Sequence, residues 1–241
     1  MKKFSTIVLM VLFGMTIHAQ KTINDPNAEP RNVGGEFHGI RVSNAFDVYI
    51  SQGNEDAVAI SASKQEYKNK IITKVENGIL IIKFDDDKKF WKGLGSSKQN
   101  LKAYISIKKI DRLEVGGACD VFFEEGISSE ALQLNLSGAS DLKGKITAQT
   151  LKVDISGASD ATITGTVATI DIDASGASDF KGYDLVSNFC NAKATGASSV
   201  NITVNKELNA NASGASSVRF KGEGLIRDIK TSGASNVSRR S

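Results

Sequence analysis

The sequence is poor in the residues that build metal centres and catalytic centres. Its 241 residues include only 2 histidines and 2 cysteines, which leaves little material for a zinc site or for histidine-dependent catalysis. Proline is scarce at 2 residues, and the aromatic residues, at 7%, are not interleaved with basic ones as single-stranded nucleic-acid binding requires. Glycine, in contrast, occurs 22 times.

The charge is also nearly balanced. A formal net charge of +3 over the chain gives no electrostatic footprint for nucleic acid, which is therefore excluded as a partner. Hydrophobic residues make up 40% of the sequence, enough for a folded core and too many for a disordered tract. The sequence predicts no cofactor.

The first residues have the pattern of a secretory signal peptide. Lys2 and Lys3 precede an apolar run over residues 4–17, and Ile17-His18-Ala19 forms a small-residue cleavage site. The alternative is a retained anchor helix, but the run is shorter than the about 20 residues that span a bilayer. We therefore predict a signal peptide over 1–19 and export to the periplasm or the cell surface of a Gram-negative bacterium. Residues 20–30 are predicted to be a flexible leader, and no later segment is long enough to span a membrane.

A short motif recurs through the second half of the chain. It begins as Gly-Gly-Ala-Cys-Asp at residue 116, continues as Ser-Gly-Ala-Ser-Asp and ends as Ser-Gly-Ala-Ser-Asn, at intervals of 18 to 21 residues. Such a period indicates a repeat architecture. The central residues of the seven copies, here called the turn glycines, are Gly117, Gly138, Gly157, Gly176, Gly196, Gly214 and Gly233.

The residues before each turn glycine alternate between apolar and polar. Leu132, Leu134 and Leu136 precede Gly138, and the same period of two precedes the next copies, as expected of a strand with one buried face. A unit of about 19 residues cannot bury such a face alone, so successive units must stack. We predict an all-β fold, a parallel β-helix or β-solenoid of strand-turn-strand repeats. Whether one coil contains one repeat or two stays open.

The turn itself offers two interpretations. Glycine supplies a positive φ and alanine is small enough for turns stacked about 4.8 Å apart, while Ser, Asp or Asn can satisfy turn amides. Alternatively, the recurring carboxylates share calcium. Turn capping is favoured, because the same position becomes serine or asparagine in the later copies. The calcium candidates, here called the acidic column, are Asp120, Asp141, Asp160 and Asp179.

The repeat register also separates the two cysteines. Cys119 replaces the turn serine of the first copy, whereas Cys190 takes an inward position in the fifth. The two thiols are therefore several coils apart, beyond the about 7 Å between Cα atoms that a disulfide tolerates. We predict that they do not form a disulfide and that Cys190 is a small core hydrophobe.

The first half reads as β structure with longer and less regular units. Strand-like alternation starts at Val33, Asn77-Gly78 is a hairpin signal, and only Ser63–Lys70 suggests a turn of helix. Residues 85–100 are a polar, lysine-rich loop. We predict a single solenoid domain over 31–238, in which an irregular half, 31–111, covers one end of the regular repeats, 112–238.

These residues resemble the putative auto-transporter adhesin, head GIN domain family. The resemblance runs from Arg31 to Val237 and rests on Ala45-Phe46-Asp47-Val48-x-Ile50-x-x-Gly53, on Val75-x-x-Gly78-x-Leu80-x-Ile82 and on the Ser-Gly-Ala-Ser repeats. It implies an exported protein of the Bacteroidetes type, a right-handed β-helix and a role in adhesion. It supplies no catalytic residue.

Two functions from different classes follow. The first is a non-enzymatic adhesion or envelope-interaction module with a glycan or an envelope component as partner; the second is a calcium-dependent protein that binds or degrades polysaccharide. Arg239 and Arg240 either guard the edges of the last coil, or the ends pair with another copy of the chain. The outward side chains that would meet a partner, here called the polar stripe, are Lys152, Asp154, Asp171, Asp173, Lys193 and Asn211.

Overall fold

The protein is a β-solenoid of about seven turns whose coils stack in parallel. The structure, a computed structural model, describes residues 25–85 and 99–240. The predicted signal peptide and most of the polar loop at 85–100 lie outside the described residues. In the described part of the chain, no helix has the length and apolar character needed to cross a membrane.

The regular repeats form long strands that each follow most of one coil. Their bounds are β8 (Arg112–Val115), β9 (Asp120–Leu136), β10 (Asp141–Ile155), β11 (Asp160–Ala174), β12 (Asp179–Ala194), β13 (Ser199–Gly214), β14 (Ser217–Lys221), β15 (Leu225–Gly233) and β16 (Asn236–Arg239).

One repeat makes one full coil. In the parallel ladder between β10 and β11, Asp141 pairs with Asp160 and Ile155 with Ala174, so each residue meets its equivalent in the next repeat. This register settles the question that the spacing left open. The predicted inward positions are confirmed as core: Leu134, Val153 and Ile172, for example, are no more than 2% exposed.

The irregular half is β structure as well and caps one end of the stack. Its elements are β1 (Glu29–Pro30), β2 (Gly39–Val42), β3 (Phe46–Gln52), β4 (Ala57–Ser61), α1 (Gln65–Lys68), β5 (Ile71–Glu76), β6 (Ile79–Phe84) and β7 (Leu101–Ile107). The Asn77-Gly78 hairpin joins β5 to β6 in antiparallel pairing. β4 pairs antiparallel with β7, and Tyr67 of α1 is fully buried beneath this cap.

The predicted leader contributes to the cap. β1 pairs antiparallel with β4, and the Glu29 carboxylate lies 2.5 Å from the ammonium of Lys68, which is largely buried. The Tyr104 hydroxyl donates a hydrogen bond of 2.8 Å to Asp25. Residues 25–30 are therefore held against the solenoid, whereas the sequence favoured a flexible segment.

The first coil does not stand first in the stack. β2 pairs with both β6 and β8, and β3 pairs with both β7 and β9. The coil made of β2 and β3 therefore lies between a coil made from later residues on one side and the regular repeats on the other.

This coil also contains an additional copy of the turn. Asn44, with a φ of 84°, occupies the position of a turn glycine, and its carbonyl accepts a hydrogen bond of 2.6 Å from the Ala118 amide. On the other side of Asn44 lies the end of β6 at Phe84. The Asn44 carboxamide oxygen accepts a hydrogen bond of 3.0 Å from the Phe84 amide.

The turn glycines are required by both conformation and space. All seven have a φ between 74° and 88°. A Cβ added at Gly138 would lie 2.2 Å from the Gly117 carbonyl oxygen, and the same contact at Gly233 would be 2.9 Å. In the five turns from Gly138 to Gly214, the alanine after the glycine donates its amide to the glycine carbonyl one coil earlier, as Ala158 does to Gly138 at 2.8 Å.

The buried serine of each motif closes the turn. The Ser178 hydroxyl donates to the Ser175 carbonyl at 2.9 Å and lies 3.4 Å from the Ile155 carbonyl of the coil before. Ser216 makes the corresponding contacts at 2.8 Å each. Because buried polar groups need such partners, a small hydroxyl suits this position better than an apolar side chain.

Both cysteines are buried and unpaired. Cys190 is 2% exposed and stands in a core column between Ile170 and Leu208, which confirms its predicted role as a small hydrophobe. Cys119 occupies the turn-serine position, and its thiol contacts the Gly116 carbonyl at 3.4 Å. Burial raises the pKa of Cys190 to about 12, with the Asp171 carboxylate adding to the rise, and burial also raises the pKa of Cys119.

This burial predicts that neither thiol reacts in the folded protein. A thiol reagent such as Ellman's reagent at pH 8 should label no cysteine in native buffer and both in urea, because only the exposed thiolate attacks the reagent. The variant Cys119→Ser carries the serine found at this position in the other turns. It should keep the stability of the protein and expose a single reactive thiol on unfolding. Rapid labelling of either cysteine in native buffer would contradict the register.

Candidate functional site

The polar stripe lies along a shallow groove on one face of the solenoid. Two adjoining depressions, of about 400 and 380 Å³, follow the outward side of β10 to β13 and β15. All six residues of the polar stripe line the first of them, and Asn191, Asn209, Asp228 and Lys230 complete its polar lining.

The narrowing core explains where the groove lies. Beneath it, one inward column holds branched side chains in the earlier coils, Val153 and Ile172, and alanine in the later coils, Ala192 and Ala210. All four are buried. Small inward side chains let the strands approach the axis, because cores pack without voids, and the surface above them becomes concave.

The groove side chains form two ladders that run across the coils. In the first, Asn191 donates to the Asp171 carboxylate at 2.6 Å, and Asn209 donates to the Asn191 carbonyl oxygen at 2.8 Å. Neighbouring strands are about 4.8 Å apart, so equivalent side chains of successive coils can reach each other. The groove is thus lined by amides and carboxylates at a regular spacing.

The second ladder carries the ion pairs. The Lys193 ammonium lies 2.8 Å from the Asp173 carboxylate of the coil before, and this hydrogen bond raises the pKa of Lys193. At the end of the groove, Lys230 and Asp228 form a pair at 2.8 Å within one strand. Lys193 and Asp173 remain 53% and 42% exposed, so they stay accessible to a ligand.

The acidic column runs along a different face. Asp47 of the first coil extends it, in register with Asp120, and burial together with the Asp120 charge raises the pKa of Asp47. Asp160 is paired with the Lys181 ammonium at 2.5 Å, which raises the pKa of Lys181.

The acidic column does not cap the turns. Within residues 25–85 and 99–240, no turn amide donates to a carboxylate of this column. The residue before each aspartate, a cysteine in the first turn and a serine in the other three, is the one buried in the turn. The same residues contain no group of three or more His, Cys, Asp or Glu side chains arranged to hold a metal ion. The four aspartates are brought into one column, as the spacing predicted, but not into a cluster.

An aromatic ladder stands beside the acidic column. The ring of Tyr49 stacks on Tyr104 with centroids 5.2 Å apart and on Phe122 at 5.3 Å. Burial, followed by the hydrogen bond to Asp25, raises the pKa of Tyr104. Because the rings cover each other's faces, the ladder stabilises the first coils and offers no open ring face between them. The sequence analysis missed it, although Tyr49 lies five residues after Asn44 and Phe122 lies five residues after Gly117.

His38 lies apart from the groove, on the irregular half. Its Nδ1 is 2.9 Å from both carboxylate oxygens of Asp111, and both side chains are more than half exposed. The pair links the first coil to β8 at the surface and is not enclosed. The structure therefore brings together the polar stripe, whereas it places the acidic column and the histidine elsewhere.

Comparison with known proteins gives the following matches. The family model described as "Putative auto-transporter adhesin, head GIN domain" matches residues 36–224. A solved putative adhesin from Bacteroides fragilis NCTC 9343 is similar with a TM-score of 0.80 at 18% identity, over 90% of this chain and 98% of that one.

Two Parabacteroides distasonis ATCC 8503 structures are similar as well. One is a putative adhesin, with a TM-score of 0.70 at 18% identity over 88% of this chain and 96% of that one. The other is a putative lipid binding protein, with a TM-score of 0.67 at 14% identity over 90% and 98%. No curated protein matches the chain. At these identities the solved structures show the shared fold.

Proposed function

Because this chain belongs to the putative auto-transporter adhesin, head GIN domain family, we propose that it is an exported adhesion module without a catalytic site. Its binding surface is the groove over the polar stripe, and its partner is a glycan of the cell envelope or of another surface. Export rests on the signal-peptide pattern of residues 1–19.

The single observation that carries this proposal is the pair of side-chain ladders. Asn191 is held by Asp171 and Asn209, and Lys193 by Asp173, so the groups that meet the ligand are ordered before it arrives. Such preorganisation lowers the entropic cost of binding. A glycan chain offers hydroxyl groups at regular intervals, which suits amides, carboxylates and an ammonium repeated from coil to coil.

The shape of the groove supports binding over catalysis. It is shallow and open, so a bond lying in it would stay in contact with water, whereas active sites gain much of their electrostatic power by excluding water. Its polar lining also favours a hydroxyl-rich ligand over an acyl chain, the ligand class that the name of one similar structure suggests.

A glycan array tests the proposal. We expect the purified protein to bind a subset of glycans, and the double variant Asn191→Ala/Asp173→Ala to lose about tenfold or more in affinity, because each change removes a preordered hydrogen-bonding group. The matched control is Asp160→Ala/Lys181→Ala, which removes an ion pair of the same kind from another face of neighbouring coils. An equal loss in both variants, or no binding to any glycan, would remove the groove as the site.

The calcium-dependent alternative is separated in the same experiment. If binding requires millimolar calcium, is abolished by EDTA and is lost with Asp141→Asn rather than with the groove variant, then the acidic column carries the function. Binding that survives EDTA and depends on Asn191 and Asp173 favours the groove. Loss of polysaccharide chain length during incubation would identify the degrading form of the alternative.

A further inference from the structure

The two ends of the solenoid are built differently. At the irregular end, β4, β5 and α1 close the stack, and core residues there such as Ile60 and Leu80 are fully buried. At the other end, Leu225, Ile226 and Ile229 of β15 are 70%, 46% and 40% exposed. Large apolar side chains gathered at one exposed place indicate an interaction surface.

Two of the three exposed side chains continue columns of the core, whereas Leu225 follows Glu207. Ile226 follows Leu208, and Ile229 follows Ala210, in the ladder between β13 and β15. One coil earlier the same positions are 0% and 3% exposed. Among the described residues β15 pairs only with β13, so the backbone groups of its other edge are available for a further strand.

The other part of the last coil ends in β16, which pairs with β14 and caps the loop before β15 with one of its side chains. The Arg239 guanidinium donates to the Gly222 carbonyl at 3.0 Å and to the Gly224 carbonyl at 2.8 Å, and it lies over the Phe220 ring. Of the two residues that the sequence suggested as edge guards, Arg239 caps the carbonyls beside β14. It does not cover β15.

We propose that β15 of one copy pairs antiparallel with β15 of a second copy, so that two solenoids join tail to tail about a twofold axis. A twofold axis brings the same strand of both copies together and runs the two strands in opposite directions. This inference does not depend on the proposed ligand of the groove.

Side-chain alternation and charge select one register for this pairing. In this register, Ile229 of one strand lies opposite Ile229 of the other. The two Ile229 side chains then meet on the core side of the sheet, and on the outer side Asp228 of each strand faces Lys230 of the other. A shift of one residue would place inward positions opposite outward ones. A shift of two in either direction would place Asp228 opposite Asp228, or Lys230 opposite Lys230, which is destabilising.

Sedimentation velocity over a range of concentrations tests the pairing. We expect a reversible dimer of the purified protein, and a monomer at all concentrations for Ile229→Lys, which places two ammonium groups at the centre of the interface. Each single reversal, Asp228→Lys or Lys230→Asp, should raise the dissociation constant by about tenfold or more. The double reversal Asp228→Lys/Lys230→Asp should restore the dimer, because every cross-strand pair is again of opposite sign.

The chain offers a matched control for these reversals. Lys152 and Asp154 are an exposed pair with the same two-residue spacing, in the middle of the stack, and Asp154→Lys should leave the dimer unchanged. Urea midpoints verify that each variant is folded. A wild-type protein that stays monomeric at every concentration overturns the proposal, and the apolar end would then bind a different partner. A dimer that is unaffected by Ile229→Lys and by the single reversals overturns it as well.

Discussion

Gly138→Ala should lower the free energy of unfolding by about 2–5 kcal/mol, from left-handed strain of about 1–2 kcal/mol and crowding of about 1–3 kcal/mol. The residue has a φ of 84°, and its new Cβ would lie 2.2 Å from a backbone oxygen of the coil below. Neither coil can move away without breaking ladder hydrogen bonds. Urea denaturation followed by circular dichroism measures the loss.

The same column contains the control. Gly233 has nearly the same φ, 74°, but the corresponding contact is 2.9 Å, and it lies in the last coil. Gly233→Ala should therefore cost the strain of the left-handed conformation, about 1–2 kcal/mol, and less crowding than Gly138→Ala, because the contact is longer and the last coil has a neighbouring coil on one side only. Gly138→Asn adds a second test, since asparagine tolerates this conformation but keeps the Cβ. It should recover little of the stability. Equal losses at Gly138 and Gly233 would show that the stacking distance does not matter.

Phe180→Ala should destabilise the protein by about 3–5 kcal/mol. Phe180 is fully buried and stands directly above Ala161 in the core column. A Cβ added at Gly182 would lie 2.4 Å from its ring, so the ring needs small residues beside it. Ala161 and Gly182 are too small to fill the cavity that alanine creates at position 180. The loss should be measured by urea denaturation under the conditions used for the glycine variants.

Phe189→Ala in the same strand is the matched control. Phe189 is 40% exposed, and its ring contributes mainly a contact with the Lys206 ammonium, 5.5 Å from the ring centroid. This contact is worth about 0.5–1 kcal/mol at an exposed site. A loss at Phe189 as large as that at Phe180 would mean that burial in the core column does not determine the stability of this coil.

The repeat predicted the core and the groove because both follow from one register. Once the turn glycines are aligned, Leu134, Val153 and Ile172 must point inward and Asp154 and Asp173 outward, and the structure confirms both directions. Asn191 and Asn209 occupy the outward position of Lys152 and Asp171, five residues before the turn glycine, so the register could have added them to the polar stripe. Concavity was not predictable, since it arises from the summed volumes of stacked side chains.

The additional turn at Asn44 escaped the sequence analysis for a physical reason. Asparagine stands there in place of glycine, with its carboxamide oxygen accepting from the Phe84 amide, and phenylalanine replaces serine two residues later. Only Ser43, Ala45 and Asp47 retain the motif. The aromatic ladder was missed with it. Tyr49 aligns with Phe122 only when Asn44 is recognised as the equivalent of Gly117 in the neighbouring coil.

The placement of the first coil between two later segments also sets the order in which the molecule can form. β2 and β3 need β6 and β7 on one edge and β8 and β9 on the other. Counting from the N-terminus, one edge of this coil stays open until residues up to Ile107 are available, and the other until residues up to Phe123 are available. Each coil from β10 onward instead finds its template complete one repeat behind it. Assembly is sequential in the regular repeats, and it is delayed by long-range pairing only at the irregular end.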